Sequence, residues 1–395
     1  MTHRSKKPDD RLSELTIRLT LDAPAETLGL ADGYQRFFDG GAKQKKHRGG
    51  AAEGGFLLRC RAACGEDGAC LCEITAARGW QEWERVAPAD YFRYTQSLAA
   101  GYLHLLRERL RTDLRPHITG VAVETPLTAC LRCPEEAPPS LLRHARKLFP
   151  ERQDMRVTAI NESGSVPVLT LQKTDGFTAA WFRPGQYVLL GPQNGTGAAE
   201  PFLLCASPAL TREGKYKAAA LPKGGPAGEM PVFTVGEELP VSAPLGDFYY
   251  DGLRDRHAVI GITDRYGIAA FLSMAAALRD GLEQFRLTVL YISAAEEVQP
   301  FAEEWESIRR ECGRVRLIRL KGTVPETALD AAALRQWLPH EAYSVFLCGE
   351  SSLCRAALRT LDVLKLPRGA VRVCAVDRLP EAAAARNDSP PGERI

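Results

Sequence analysis

Two periodicities run through the chain and divide it. Leu15, Ile17, Leu19 and Leu21 alternate with polar residues, the pattern of a half-buried strand. Phe92, Leu98, Tyr102, Leu105, Leu106 and Leu110 recur at helical spacing and predict an amphipathic helix over 89–114, starting near Asp90. Residues 118–123 predict another strand. The proline-rich stretch 134–139 interrupts the pattern, and 140–148 predict a short helix ahead of a break at Pro150. Residues 1–12 are polar and expected to fray, and 40–55, rich in Gly, Lys and Ala, predict a loop. Residues 1–150 therefore form one predicted α+β domain that carries six cysteines.

From Met155 the texture changes. Short alternating runs at 155–161, 166–172, 187–190, 215–220 and 239–243 are separated by Gly and Pro, as in a small antiparallel barrel. From His257 strands and helices alternate. Strands are expected at 258–262, 287–292, 315–320, 344–347 and 370–376, and helices at 267–279, 300–312 and 353–364. That alternation implies a parallel sheet with helices on both faces. The fold class is thus a multidomain chain of β and α/β parts: an α+β domain over 1–150, an antiparallel β-barrel over 151–254, a parallel α/β domain over 255–380, and a disordered tail over 381–395.

Composition narrows the function. A chain of 395 residues accommodates two to three domains of ordinary size, and an apolar fraction of 45% fills their cores. A net charge of +2 gives no basic face of the kind a nucleic-acid binder needs, and the run Lys43, Lys45, Lys46, His47, Arg48 is read as a solvated loop. No apolar run reaches the ~18 residues of a membrane helix. The charged start has no apolar stretch behind it, so no signal peptide is expected and the expected location is cytoplasmic. In a reducing compartment the 11 cysteines are expected to be thiols or metal ligands.

Five motifs follow one another through the second half: Phe182-Arg183-Pro184-Gly185-Gln186-Tyr187-Val188, Pro201-Phe202-Leu203-Leu204-Cys205-Ala206-Ser207-Pro208, Pro244-Leu245-Gly246-Asp247-Phe248, Gly267-Ile268-Ala269-Ala270-Phe271-Leu272-Ser273-Met274 and Phe346-Leu347-Cys348-Gly349-Glu350. In this order residues 153–380 resemble the ferredoxin–NADP reductase superfamily. The resemblance implies a flavin-binding barrel and a nicotinamide-nucleotide domain, and a flavoprotein oxidoreductase passing electrons from NAD(P)H through FAD to a protein partner or an iron–sulfur centre. It places Phe202 and Tyr187 against the flavin ring, with Leu203, Cys205 and Ser207 beside them. It puts the second pyrophosphate contact at Lys223, Gly224, Gly225 and Gly228, where glycines permit a concave nest of amides. It assigns the nucleotide turn to Arg265, Gly267 and Ile268, and the Cys-Gly turn beside the reacting nicotinamide to Cys348 and Gly349, with Cys348 as the catalytic-site residue. Cys348 also reads as a small buried thiol at a strand end.

Several positions depart from the family pattern. Glu200 stands where the family has a pyrophosphate-binding Arg, and Leu203 where it has a Ser. Lys223 and Arg183 are the nearby cations available to compensate. Asp264-Arg265-Tyr266-Gly267-Ile268-Ala269-Ala270 replaces Gly-Gly-x-Gly-Ile-Thr-Pro. Acidic residues Glu296 and Glu297, with no Arg in that segment, favour NADH over NADPH. Together these departures leave open a non-catalytic reading: a reductase-like interaction or scaffold subunit without FAD or nucleotide.

The cysteines of the first domain carry a separate possibility. Cys60, Cys64, Cys70 and Cys72 are densely spaced, and Cys130-Leu131-Arg132-Cys133 is a Cys-x2-Cys pair placed in a predicted loop. Such thiolates can converge on iron or zinc, and an iron–sulfur cluster would serve as a one-electron outlet beside a flavin. Ordinary free thiols are the alternative.

Overall fold

The computed structural model describes residues 14–30, 33–38, 55–62, 70–191, 199–221, 233–294, 296–322 and 329–379. They form two compact units: one runs to Phe149 and includes Gly252–Arg254, and the other comprises Pro150–Asp251 and the chain from Asp255 on.

The first unit is built on a five-stranded antiparallel sheet of order β2-β3-β4-β1-β5. Its strands are β1 (Glu14–Leu21), β2 (Gln35–Phe38), β3 (Phe56–Ala62), β4 (Cys70–Ala77) and β5 (Ile118–Glu124). Alternate residues of β1 and β4 are buried, and their apolar faces build the core. The helices are α1 (Trp80–Trp83), α2 (Tyr91–Leu110), α3 (Pro126–Arg132) and α4 (Pro139–Leu148). The helix α2 is shorter than its apolar spacing predicts, because Arg111 turns left-handed (φ 58°) and ends it. The stretch around Cys130 is a helix and not the expected loop. Thr125 and Thr128 cap its start reciprocally and Pro126 supplies a preset first residue, so its N-terminal donors are satisfied.

The second unit opens with a closed barrel of six strands in the order β10-β7-β6-β11-β8-β9. They are β6 (Arg152–Ser163), β7 (Val166–Lys173), β8 (Tyr187–Leu190), β9 (Glu200–Leu204), β10 (Lys215–Ala220) and β11 (Glu238–Ser242), all paired antiparallel. The strand β9 has no alternating signature, since Phe202, Leu203 and Leu204 are all buried.

A five-stranded parallel sheet follows, of order β14-β13-β12-β15-β16, with β12 (Ala258–Thr263), β13 (Arg286–Ser293), β14 (Val315–Lys321), β15 (Tyr343–Gly349) and β16 (Val371–Ala375). Its helices are α5 (Ile268–Arg279), α6 (Ala302–Glu311), α7 (Ala331–Arg335) and α8 (Ser351–Val363). Helices α5 and α6 cover one face, α7 and α8 the other. The helix α6 starts later than expected because Phe301 adopts a left-handed conformation (φ 58°) at its N-cap. Strand order reverses between β12 and β15, which makes their carboxyl ends the topological switch point of the sheet.

Candidate functional site at the switch point

The turns after β12 and β15 lie side by side, because Thr263 pairs with Cys348 across the parallel ladder. They approach closely only because both contain glycine. A side chain on Gly267 would sit 1.9 Å from the Cys348 carbonyl oxygen, and one on Gly349 would sit 2.5 Å from Asp264 Oδ2. The motif glycines are thus explained by contact between the two turns.

Asp264 fills the crevice these turns make. Its Oδ1 accepts hydrogen bonds from the backbone N–H groups of Tyr266 and Gly267, both at 3.0 Å, and its Oδ2 accepts one from Glu350 N–H at 2.7 Å. One carboxylate therefore joins the turns that lead into α5 and α8. Asp377 takes the next donors of α8, accepting from Ser351 N–H at 2.9 Å and Ser351 Oγ–H at 2.8 Å. Burial raises the Asp264 carboxyl above its ordinary range, and the three amide donors work in the opposite direction. Arg265 lies partly buried with its guanidinium over the Tyr266 ring, 4.7 Å from the centroid.

Cys348 lies at the end of β15, fully buried, in the apolar cluster that includes α5. Burial, the neighbouring Cys374 thiol and Asp264 push its deprotonation well above that of an ordinary thiol. Leu203 belongs to the same cluster and faces α5 with Tyr187. Phe202 does not share it. It belongs to the barrel's interior with Val188, its partner across β8, and meets the edge of the Phe233 ring at 5.7 Å. Structure thus brings together Leu203, Tyr187, Ile268 and Cys348, and sets Phe202 in a different cluster.

The barrel motifs interlock. Gly185 needs its positive φ of 104°, since a side chain there would lie 2.1 Å from the Phe248 carbonyl oxygen. Gln186 accepts from Arg183 N–H at 2.8 Å and donates to the Gly246 carbonyl at 2.9 Å, while Tyr187 and Leu245 exchange backbone hydrogen bonds. The Tyr187 ring lies against Gly246. On the other side of the motif, Ser273 Oγ–H on α5 donates to the Ala206 carbonyl at 2.7 Å. The Ser207 hydroxyl accepts from Ala209 N–H at 3.3 Å and caps its own short turn. Cys205 is buried, which pushes its thiol up to about 12.

Arg183 is committed elsewhere. It donates to the Tyr250 carbonyl at 2.7 Å, pairs with Asp251 at 3.4 Å and stacks 3.7 Å over the Tyr249 ring. Lys223, Gly224, Gly225 and Gly228 lie outside the described residues. Among the described residues Tyr187 is the aromatic ring at this junction of barrel and sheet, buried against Gly246.

Near the expected ribose segment, Arg319 on β14 reaches across to donate to Ser293 Oγ at 2.7 Å and to the Ala294 carbonyl at 3.1 Å. Glu297 accepts from Tyr291 O–H at 2.9 Å. The sequence argument for NADH noted no Arg in 293–297; the fold supplies one from a neighbouring strand. Strand adjacency, invisible in local sequence, was the missing signal.

In the first unit, Cys60 and Cys72 are direct cross-strand partners with their sulfurs 2.8 Å apart, and Cys70 Sγ lies 3.8 Å from Cys72 Sγ. The Cys72 thiol stabilises Cys60 as the more acidic of the two, and Cys72 is correspondingly raised. Cys130 donates to the Leu127 carbonyl at 3.1 Å, inside its own helix, and Cys133 is that helix's C-cap. Cys64 lies outside the described residues. Among the described residues no group of three or more His, Cys, Asp or Glu side chains is arranged to hold a metal ion. Nor is any described helix long and apolar enough to cross a membrane.

A closed six-stranded antiparallel barrel followed by a parallel sheet with helices on both faces is the fold that the order of the sequence motifs leads one to expect. Solved structures similar to the chain include the flavohem-like FAD/NAD-binding domain of nitric oxide dioxygenase from Vibrio cholerae O1 biovar El Tor, at 18% identity and TM-score 0.45 over 56% of this chain and 98% of that one. Flavohemoglobin from Malassezia yamatoensis matches at 17% identity and TM-score 0.48, over 74% of this chain and 76% of that one. Phthalate dioxygenase reductase, a modular protein for electron transfer from pyridine nucleotides to [2Fe-2S], matches at 20% identity and TM-score 0.44, over 57% and 68%. No protein-family model matches the chain, and no curated protein is similar to it.

Proposed function

We propose that the second unit is the working part of a flavin-dependent oxidoreductase, which takes electrons from a pyridine nucleotide, NADH before NADPH, and passes them through FAD to a protein partner or an iron–sulfur centre. The observation that carries this reading is the packing of Tyr187 and Leu203 of the barrel in one cluster with α5 and Cys348 of the sheet. The barrel strand and the Cys-Gly turn that the reaction needs together share this one apolar cluster. Tyr187, Phe202, Leu203, Cys205 and Ser207 would border the flavin, and Lys223, Gly224, Gly225 and Gly228 would meet its pyrophosphate. The turn of Arg265, Gly267 and Ile268 would meet the nucleotide, with Gly349 and Cys348 lining the reacting end. The flavin would supply hydride acceptance and one-electron release, and the protein's contribution is to hold the two rings in register.

A second reading is favoured by Glu200 and Asp264, which put carboxylates at two positions where the first reading needs phosphate contacts. On that reading the unit is an interaction subunit that keeps the reductase fold without its ligands. Anaerobic purification followed by visible spectroscopy and titration with NADH separates the two. A yellow protein with the two-band flavin spectrum supports the oxidoreductase. A protein that stays colourless after incubation with FAD sinks it. Iron and sulfide analysis of the same sample tests whether Cys60, Cys64, Cys70, Cys72, Cys130 and Cys133 hold a cluster.

A further inference from the structure

In an open parallel sheet, ligands enter the crevice at the carboxyl ends of the strands where strand order reverses, and anions are held there by the backbone N–H groups of helix N-termini. Here that crevice lies between the ends of β12 and β15, and two helices of 12 and 13 residues begin at it. We propose that the Asp264 carboxylate is the built-in occupant of this crevice, holding the amide donors that a nucleotide phosphate would require. The proposal concerns the nucleotide turn of the reading above and rests on that reading for the site's identity. It does not depend on whether flavin is bound.

The geometry leaves little room for another interpretation of the carboxylate's role. Its two oxygens accept from three amides of the two turns that lead into α5 and α8, at 2.7–3.0 Å. Gly349 has no side chain, and Oδ2 occupies the space one would take. Asp377 holds the adjoining donors of α8, the Ser351 amide and hydroxyl. An incoming phosphate would therefore find these turn amides and that of Ser351 engaged, and would bring its charge up to Asp264, Glu350 and Asp377. The one cation of the turn, Arg265, is stacked on Tyr266. Like charges at such separations repel strongly where water is partly excluded. A nucleotide can bind only by displacing the Asp264 side chain, which sacrifices three charge-assisted hydrogen bonds.

Calorimetric titration with ADP and with NADH tests this on the full-length chain and on two variants. Asp264→Gly empties the crevice. Asp264→Asn removes the charge while its carbonyl oxygen can still accept from Tyr266 and Gly267. Both variants are expected to bind ADP at least about tenfold more tightly than the wild type, which should bind it only in the millimolar range. In the wild type, hydrogen exchange at Tyr266, Gly267 and Glu350 is expected to be slow without ligand and unchanged by millimolar ADP. Micromolar binding of ADP or NADH by the wild type would overturn the proposal. So would ADP-induced protection of those three amides in the wild type, a measurement that holds even if neither variant folds. Equal affinities in wild type and folded variants would overturn it as well. A yellow protein that binds NADH tightly keeps the oxidoreductase reading and defeats this one. A colourless protein whose variants gain ADP binding does the reverse.

Discussion

Glu283 should make the second unit less stable as pH rises from about 4.5 to about 7. It lies in the turn between α5 and β13, partly buried, and loss of hydration pushes its carboxyl up to about 7; Arg183 pulls it down and Asp251 pushes it further up. Starting from an ordinary value of 4.5, this is a rise of about 2.5 units, or about 3 kcal/mol at 1.36 kcal/mol per unit. The folded chain holds this proton more tightly than the unfolded chain. Below about pH 4.5 both states are protonated and the site costs nothing; between about 4.5 and 7 the unfolded chain ionises while the folded chain keeps its proton, so stability falls across that interval and levels off above it. Glu283→Gln removes the ionisation. The variant should match the wild type near pH 4.5 and exceed it by up to about 3 kcal/mol near pH 8, a shift of about 6–12 °C in Tm for a unit of this size. Urea unfolding across this pH range, with hydrogen exchange in β12 and α5 identifying the transition, measures the difference. A gap between variant and wild type that does not change with pH would refute the reasoning, because only a titrating carboxylate gives it a slope.

Three further outcomes are expected. Arg183→Met should destabilise the second unit by about 3–5 kcal/mol in urea unfolding, since it strips Asp251 of its buried guanidinium partner and the Tyr250 carbonyl of a donor. Gly267→Ala should cost about 3 kcal/mol or more, or abolish soluble expression, because the added methyl would fall 1.9 Å from the Cys348 carbonyl oxygen, where two backbones meet. Glu200→Arg should tighten FAD binding by about 1.5–3 kcal/mol in a fluorescence titration if Glu200 faces the pyrophosphate; unchanged affinity would place the residue elsewhere.

Much of the fold was legible because the second half of the chain is locally consistent. Strands at 187–190 and 215–220 were found at their observed ends, where alternation or a buried run is bounded by Gly and Pro. The parallel sheet followed from strand–helix alternation. What escaped prediction had specific causes. The strand β9 is buried on both sides, so its period is masked. The helix at Pro126–Arg132 is only seven residues long, and its start is set by a threonine pair, not by apolar spacing. The site was less legible than the fold, because it depends on which strands lie side by side. Arg319 reaches the 293–297 segment from β14, and Asp264 reaches Glu350 from 86 positions away. In sequence Asp264 is an acid where the pattern has a glycine; in space it is an anion on three amides.

The motif positions sort into two groups according to what demands them. Gly185, Gly246 and Gly267 are required by the packing of this chain on itself: at each, a side chain would meet a backbone oxygen or the Tyr187 ring within about 3 Å. All three match the reductase pattern. The positions that depart from it, Glu200 and Asp264, are ones where the pattern serves a phosphate, and both departures introduce negative charge. A flavin dinucleotide and a pyridine dinucleotide each carry a pyrophosphate, so a carboxylate at either position opposes binding by the same physics, whatever the rings do. At Asp264 the opposition is structural too, since the amides are already satisfied and the crevice filled. Cys348 fits this division: its thiol stays protonated in an apolar cluster, so it can contribute bulk and packing beside a ring but no base or nucleophile. Any redox role of this barrel-to-sheet framework must therefore come from a cofactor held largely by groups other than the two acids.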